Sequence, residues 1–101
     1  MSEVFWSVDS LVIKDNTLFG FGWIFHARHE ITAIRFRLSF AGDDECLTEH
    51  ISADAGKPRD DVKRAFENQP HALNSGYVVY GAYPLGAQIR SIDLVCSLAD
   101  G

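Results

Sequence analysis

Three stretches carry residue types that could do chemistry. GKPRDDVKRAF, Gly56 to Phe66, gathers a Gly-Lys pair, further basic residues at Arg59, Lys63 and Arg64, and adjacent aspartates at Asp60 and Asp61. A phosphate cradle or an acid–base pair could be built from such a set. HARH, 26–29, offers two histidines at i,i+3, the spacing of a shared metal on a helix. GFGW, 20–23, opens like a dinucleotide fingerprint. Each falls short of its chemistry. A phosphate loop needs GxxxxGK followed by Ser or Thr; Ile51 stands at the first glycine and Pro58 at the hydroxyl. Neighbouring aspartates project about 100° apart on a helix and do not aim at one bond as a glycosidase pair must. The HARH segment reads as a loop with no third or fourth ligand near in sequence. GFGW lacks the third glycine, and HEITA at 29–33 lacks the second histidine of HExxH. His50 and His71 stand alone, and no GxSxG appears. No catalytic set, cofactor site or metal site emerges.

The 56–66 stretch makes better sense as a structural clip. Proline is favoured where a helix begins, because its missing N–H is not needed there. Aspartates in the first turn complement the positive end of the helix dipole. Asp60 and Arg64 are spaced i,i+4 with the acid first. Val62, Ala65 and Phe66 form one apolar face, and Asn68 and Pro70 end the run. These features predict one short helix near residues 59–67. A helix this short does not persist alone in water, so Val62 and Phe66 must press against the rest of the fold. The expected place is an open end of the core.

The elements that would carry the clip read as strands. VFWSV (4–8) and LVIK (11–14) are two short pieces separated by Asp9 and Ser10, and Asp15-Asn16 is a turn. TLFGFGWIF (17–25) is apolar on both faces, which predicts a central strand covered twice. Gly20 and Gly22 within it mark a close approach by another backbone or ring. ITAIRFRLSF (31–40) alternates cleanly, with Ile34, Phe36, Leu38 and Phe40 on one face and Arg35, Arg37 and Ser39 on the other. CLTEHIS (46–52) reads as an edge strand. GYVVYGAY (76–83) and QIRSIDLVCSL (88–98) complete the set. Short strands at this spacing, without long periodic helices, predict an all-β antiparallel β-sandwich of about seven strands, immunoglobulin-like or similar. The Cys-Trp-Cys order of a true immunoglobulin domain is absent, since Trp23 precedes Cys46.

Composition bounds the rest. The 101 residues form one domain, 1–101, with 47% hydrophobic and 23% charged residues. Fourteen acidic against nine basic residues give a net charge of −5, which disfavours nucleic acid. No apolar run approaches the roughly 20 residues of a membrane span. The N-terminus has no basic, signal-like region, so the sequence reads as cytoplasmic. Cys46 and Cys96 could form one bridge; in a leaderless chain they read as two buried or half-buried thiols. Among the aromatics, Phe21, Trp23, Phe36 and Phe66 are expected inward, and Trp6, Tyr77, Tyr80 and Tyr83 outward. Exposed flat rings stack on sugars or anchor protein interfaces. The candidate ligand-binding residues are Trp6, Arg59, Asp61, Tyr80 and Tyr83.

The succession GFGWIF, ITAIRFRLSFAGDD, GKPRDDVKRAF and NSGYVVY resembles small β-sandwich accessory modules of bacterial glycosyltransferases and polysaccharide-biosynthesis proteins. Gly22, Trp23, Ile31, Ile34, Gly56, Arg59, Asp61, Val62, Phe66, Ser75, Gly76 and Tyr77 carry the match, which spans about residues 17–98. Asp60 stands where that family often has proline, and Tyr77 where it often has phenylalanine. The resemblance implies a non-catalytic accessory or binding module, not an enzyme. Its implied partners are carbohydrate or an adjacent glycosyltransferase domain. Trp23, Val62, Phe66, Ser75 and Gly76 are implied as fold determinants. The alternative is a protein-interaction or dimerisation module without sugar binding, using an edge strand and exposed aromatics.

Overall fold

The structure is a computed structural model that describes residues 3–41 and 47–99. Six strands run β1 (Val4–Lys14), β2 (Thr17–His26), β3 (Ile31–Phe40), β4 (Leu47–Lys57), β5 (Gly76–Ala82) and β6 (Ile89–Leu98), with one helix, α1 (Asp60–Ala65), between β4 and β5. All pair antiparallel in one curled sheet of order β1-β2-β5-β4-β3-β6. This is mostly antiparallel β with one short helix, as expected, but it is a half-barrel of six strands rather than two packed sheets of seven.

The difference in count comes from Asp9. The expected break between 4–8 and 11–14 is a bulge inside one continuous strand: the register to β2 shifts between Val8 and Ser10. Asp9 leaves the ladder, and its carboxylate accepts hydrogen bonds from Arg59 and Ser7. A polar residue in a strand can thus mark a bulge instead of an end. CLTEHIS also departs from expectation. Cys46 lies outside the described residues, and β4 is interior, between β5 and β3; the free edges are β1 and β6. Its polar alternation arises because Ile51 and Ala53 meet the core while Ser52 and Asp54 face solvent.

The curl turns one face of the sheet onto itself. Leu18, Ile24, Ile34, Phe36, Leu38, Phe40, Ile51, Tyr77 and Val79 fill this inner face. The apolar face read in β3 holds: Ile34, Phe36, Leu38 and Phe40 are all buried. Curling this tightly demands missing side chains. Tyr77 lies opposite Gly22 in the β2–β5 ladder, and its ring crosses the glycine so that its hydroxyl donates to the Ser7 carbonyl, 3.4 Å away. A Cβ at Gly22 would collide with that carbonyl oxygen and sit 2.6 Å from the Tyr77 hydroxyl. Tyr77, expected outward, is therefore among the most buried residues. Burial pushes its phenol up to about 12, with the Asp9 charge adding to the shift.

The helix does not plug an open end of this core. Phe5 and Phe25 pair across β1 and β2, one residue out of phase with the inward Ile24. They therefore point to the outer face. There Val62, Ala72, Trp23 and Phe66 join them in a second, smaller core. Phe66 meets Phe25 edge-on at 5.3 Å and tilts against Phe5 and Trp23, each at 5.6 Å. Trp23, expected inward, lies instead on the outer face, stacked on Phe25 at 5.9 Å beside Phe66.

Two substitutions test these cores. Gly22→Ala should destabilise the chain by about 1–3 kcal/mol, the usual cost of overpacking against backbone. Phe66→Ala should cost about 2–3 kcal/mol, less than the loss of a fully buried ring because Phe66 stays half-exposed. Urea unfolding midpoints measure both; an unchanged midpoint for Phe66→Ala would show that α1 is not held by its ring.

Candidate functional site

Arg59 is the most connected side chain of the expected site. It precedes α1 directly, and its own N–H donates to the Leu73 carbonyl at 2.7 Å. Its guanidinium grips Asp61 through two bonds, Nε to Oδ1 at 2.9 Å and NH2 to Oδ2 at 2.8 Å. NH1 donates to Asp9 Oδ2 at 3.0 Å and, at 3.4 Å, to the Gly22 carbonyl. The Asp61 hydrogen bonds raise the Arg59 pKa most; burial opposes them, and Asp9 adds to the rise. The bidentate partner holds the Asp61 carboxyl near 2, below its ordinary 3.8. The arginine is engaged internally on both sides of its plane edge, so this pair ties α1 to the β1 bulge and to β2. It is Asp61 and Arg59, not the Asp60 and Arg64 expected from i,i+4 spacing, that form the ion pair.

The neighbouring motif residues serve the same junction. Ser75 Oγ donates to the Ala72 carbonyl at 2.6 Å, and the Ser75 carbonyl accepts the Ile24 N–H. A Cβ at Gly76 would lie 2.9 Å from both Arg59 Cγ and the Lys57 carbonyl, so only glycine lets the arginine stem cross β5 there. Lys63 Nζ donates to the Glu67 and Gln69 carbonyls beyond the helix end.

The remaining candidates do not converge. Trp6 stands on the inner side of edge strand β1, where it borders a groove of about 420 Å³ with Val4, Ile24, Ile92, Leu94 and Cys96. Tyr83 is half-buried at the far end against Phe40, ring centroids 5.7 Å apart, and its backbone is bonded to Asn16 in both directions. Tyr80 lies on the outer face. The five expected ligand residues thus occupy four separate regions.

The histidines also resolve into structure. His26 ends β2, and its Nδ1 accepts the N–H groups of Arg28 and His29 at 3.0 and 3.2 Å. Nε2 faces Glu3 at 3.5 Å, and Glu3 in turn binds Arg28 at 2.8 Å. The His26 and His29 rings lie 5.0 Å apart, but no three metal-ligating side chains cluster among the described residues. Cys96 is a free, half-buried thiol whose pKa is pushed up by burial, which keeps it protonated. Among the described residues no helix is long and apolar enough to cross a membrane.

What the sequence reading missed is a surface. On the outer face the two halves of the sheet differ in kind. Over β4, β3 and β6 the face is polar: Arg35 donates to His50, and Arg37 pairs with Asp93 at 2.8 Å. Over β1, β2 and β5 it is apolar, and α1 covers only one end of it. The other end leaves Val12, Phe19, Phe21, Val78 and Tyr80 between 37% and 70% exposed. They are contiguous. Val12 pairs with Phe19, Phe19 with Tyr80, and Phe21 with Val78. The Phe19 and Tyr80 rings meet edge to face at 6.3 Å. The signal was present: TLFGFGWIF is apolar on both faces, and only one face can belong to the main core. Double coverage of β2, with Phe21 inward, is therefore replaced by one covered face and one exposed face, on which Phe21 stands 41% exposed.

No family model matches this chain, and comparison with curated proteins and with solved structures finds no match.

Arg59→Ala removes a partly screened cluster of charged hydrogen bonds and should cost about 1–2 kcal/mol. The acid side gives a second readout. Because folding lowers the Asp61 pKa, its contribution is complete above about pH 4 and disappears as pH falls through about 2. Asp61→Asn should flatten the fall in unfolding midpoint across that window; an unaltered slope would show that the Arg59 pair does not stabilise the fold.

Proposed function

We propose that this chain is a non-catalytic binding module, an accessory to glycan biosynthesis that works through the apolar half of its outer face. One observation carries the reading: five large apolar side chains stand exposed side by side on strands that are hydrogen-bonded into the sheet. Exposed apolar surface of this kind marks an interaction site in a folded protein. Of the charged residues that first suggested a reaction centre, Arg59 and Asp61 are engaged with each other at the helix junction, and Lys63 holds the carbonyls of Glu67 and Gln69. The likeness of GFGWIF, GKPRDDVKRAF and NSGYVVY to modules of glycosyltransferases supports the accessory role and gives it a setting, next to a sugar-transferring domain.

Two occupants fit an aromatic face, and they differ in what they need. A sugar ring stacks on a flat aromatic but also needs hydrogen-bond partners for its hydroxyls. Tyr80 supplies a ring that is 70% exposed. Its row, however, continues through Phe19 to Val12, and the adjacent row is Phe21 and Val78 beside Ser10. A face this poor in polar side chains favours a protein surface over a glycan.

Titration of isotopically labelled protein with oligosaccharides and with a glycosyltransferase domain separates the two. Amide shifts confined to β1, β2 and β5 with the protein partner are expected, and Tyr80→Ser should abolish them. Shifts centred on Arg59 and Asp61, or turnover of an activated sugar donor by this chain alone, would replace the reading.

A further inference from the structure

We propose that the exposed apolar half of the outer face is a homodimer interface, on which two copies of this chain pack β1-β2-β5 face to face. This deepens the binding-module reading and rests on it, naming the partner that covers this face as a second copy, with which a glycosyltransferase domain would have to compete.

Area is the first argument. With roughly 150–250 Å² per large side chain, the five residues leave on the order of 400 Å² of apolar surface exposed. That lies within the range of the largest patch on one monomer, about 300–600 Å², a size that is often functional. A standard interface covers about 800 Å² per partner, a little over half of it apolar. The patch therefore matches the apolar share of one side of a standard interface.

Charge is the second. A two-fold contact sets each residue near its own copy or its neighbour's, so like charges at the centre would oppose it. None of the five carries a charge. Of the charged groups beside the patch, Asp54 pairs with Lys57 at 2.7 Å and Arg59 with Asp9 and Asp61, while Lys14, two residues beyond Val12, stands at the rim rather than the centre. Two chains of net charge −5 can thus meet here without a buried ionic conflict. A basic or acidic partner would gain nothing from this neutral centre.

Geometry is the third. Sheets pack face to face about 10 Å apart, with cross-strand rows interdigitating. Helix α1 already forms a second layer on one end of the face, packed on Phe25. A two-fold axis through the patch places the two helices at opposite ends, and the partner's sheet fills the layer that α1 begins. The dimer is the two-sheet sandwich that one chain does not complete.

Light scattering and sedimentation equilibrium over a range of protein concentration test this. A monomer–dimer equilibrium is expected, strengthened rather than weakened by added salt, because salt screens the repulsion between two acidic chains. Tyr80→Lys and Val12→Lys, each placing a charge on the axis face, should raise the dissociation constant roughly 30-fold or more, the loss of one interface hot spot. Tyr80→Ser serves the same purpose should the lysine variants lose their circular dichroism spectrum. Trp6→Ser, on the opposite face, should leave the dimer intact. A monomer at every concentration overturns the proposal, as does a dimer broken by Trp6→Ser and untouched at Tyr80. If the chain is monomeric while a glycosyltransferase domain still shifts the β1-β2-β5 amides, only the choice of partner has failed; if neither copy nor domain engages that face, the binding-module reading fails with it.

Discussion

One sheet has two faces, and a chain this size must dispose of both. This constraint governs the rest of the structure. Curling solves half of it: the inner face closes on itself around Phe36, Tyr77 and Leu38, with no second layer required. The outer face has no such solution. Its polar half over β3, β4 and β6 is content in water. Its apolar half needs a cover, and among the described residues α1, with Ala72 after it, lies over one end of it. Six residues of helix are about 9 Å long at 1.5 Å per residue, enough to shelter Phe5, Trp23 and Phe25 but not the strands beyond them.

The Arg59 junction makes that partial cover possible. A helix of this length has little stability of its own, and Arg59 at its N-terminal boundary makes no side-chain cap. Three connections outside the helix compensate. Phe66 and Val62 supply apolar contact, Arg59 reaches Asp9 and the Gly22 carbonyl, and Lys63 covers the carbonyls at the exit. The bulge at Asp9 is part of the same device, since an in-register residue would point its side chain along the ladder's alternation. Gly76 completes it by letting the arginine stem lie close to β5. The segment with the most ionic chemistry is thus the one with the most structural duty.

Much of this was legible because strand patterns report local burial directly. The apolar side of β3 was readable to the residue, since Ile34, Phe36, Leu38 and Phe40 are all buried, though Ser39 on the other side is buried too. The helix position was readable from Pro58, the aspartates and the Val62–Phe66 spacing. Three kinds of fact were not. Whether Asp9 ends a strand or bulges from it depends on a partner fifty residues away. Tyr77 looks like a surface tyrosine until Gly22 is placed opposite it, and that pairing is tertiary. β4 looks like an edge because its outer side is polar, yet polarity reports the missing layer, not the neighbour in the sheet. The alternation of Ser52 and Asp54 with Ile51 and Ala53 is the same for an edge strand and for an interior strand of a single-layer sheet.

The same reasoning separates the groove from the outer face as a place to bind. The groove beside Trp6 is bounded by β1 and β6, the two free edges, and its floor residues Ile24, Ile92 and Leu94 already pack on the inner core. An edge strand is held by neighbours on one side only, so its walls are the least constrained part of the sheet. The outer patch lies mainly on β2 and β5, which are paired on both sides. Its side chains are therefore presented in fixed register, and Phe19 and Tyr80 hold each other edge to face. Binding costs less where the surface is already ordered before contact. A rigid apolar face, adjoining a helix that covers only part of it, is the feature of this fold with most to gain from a partner.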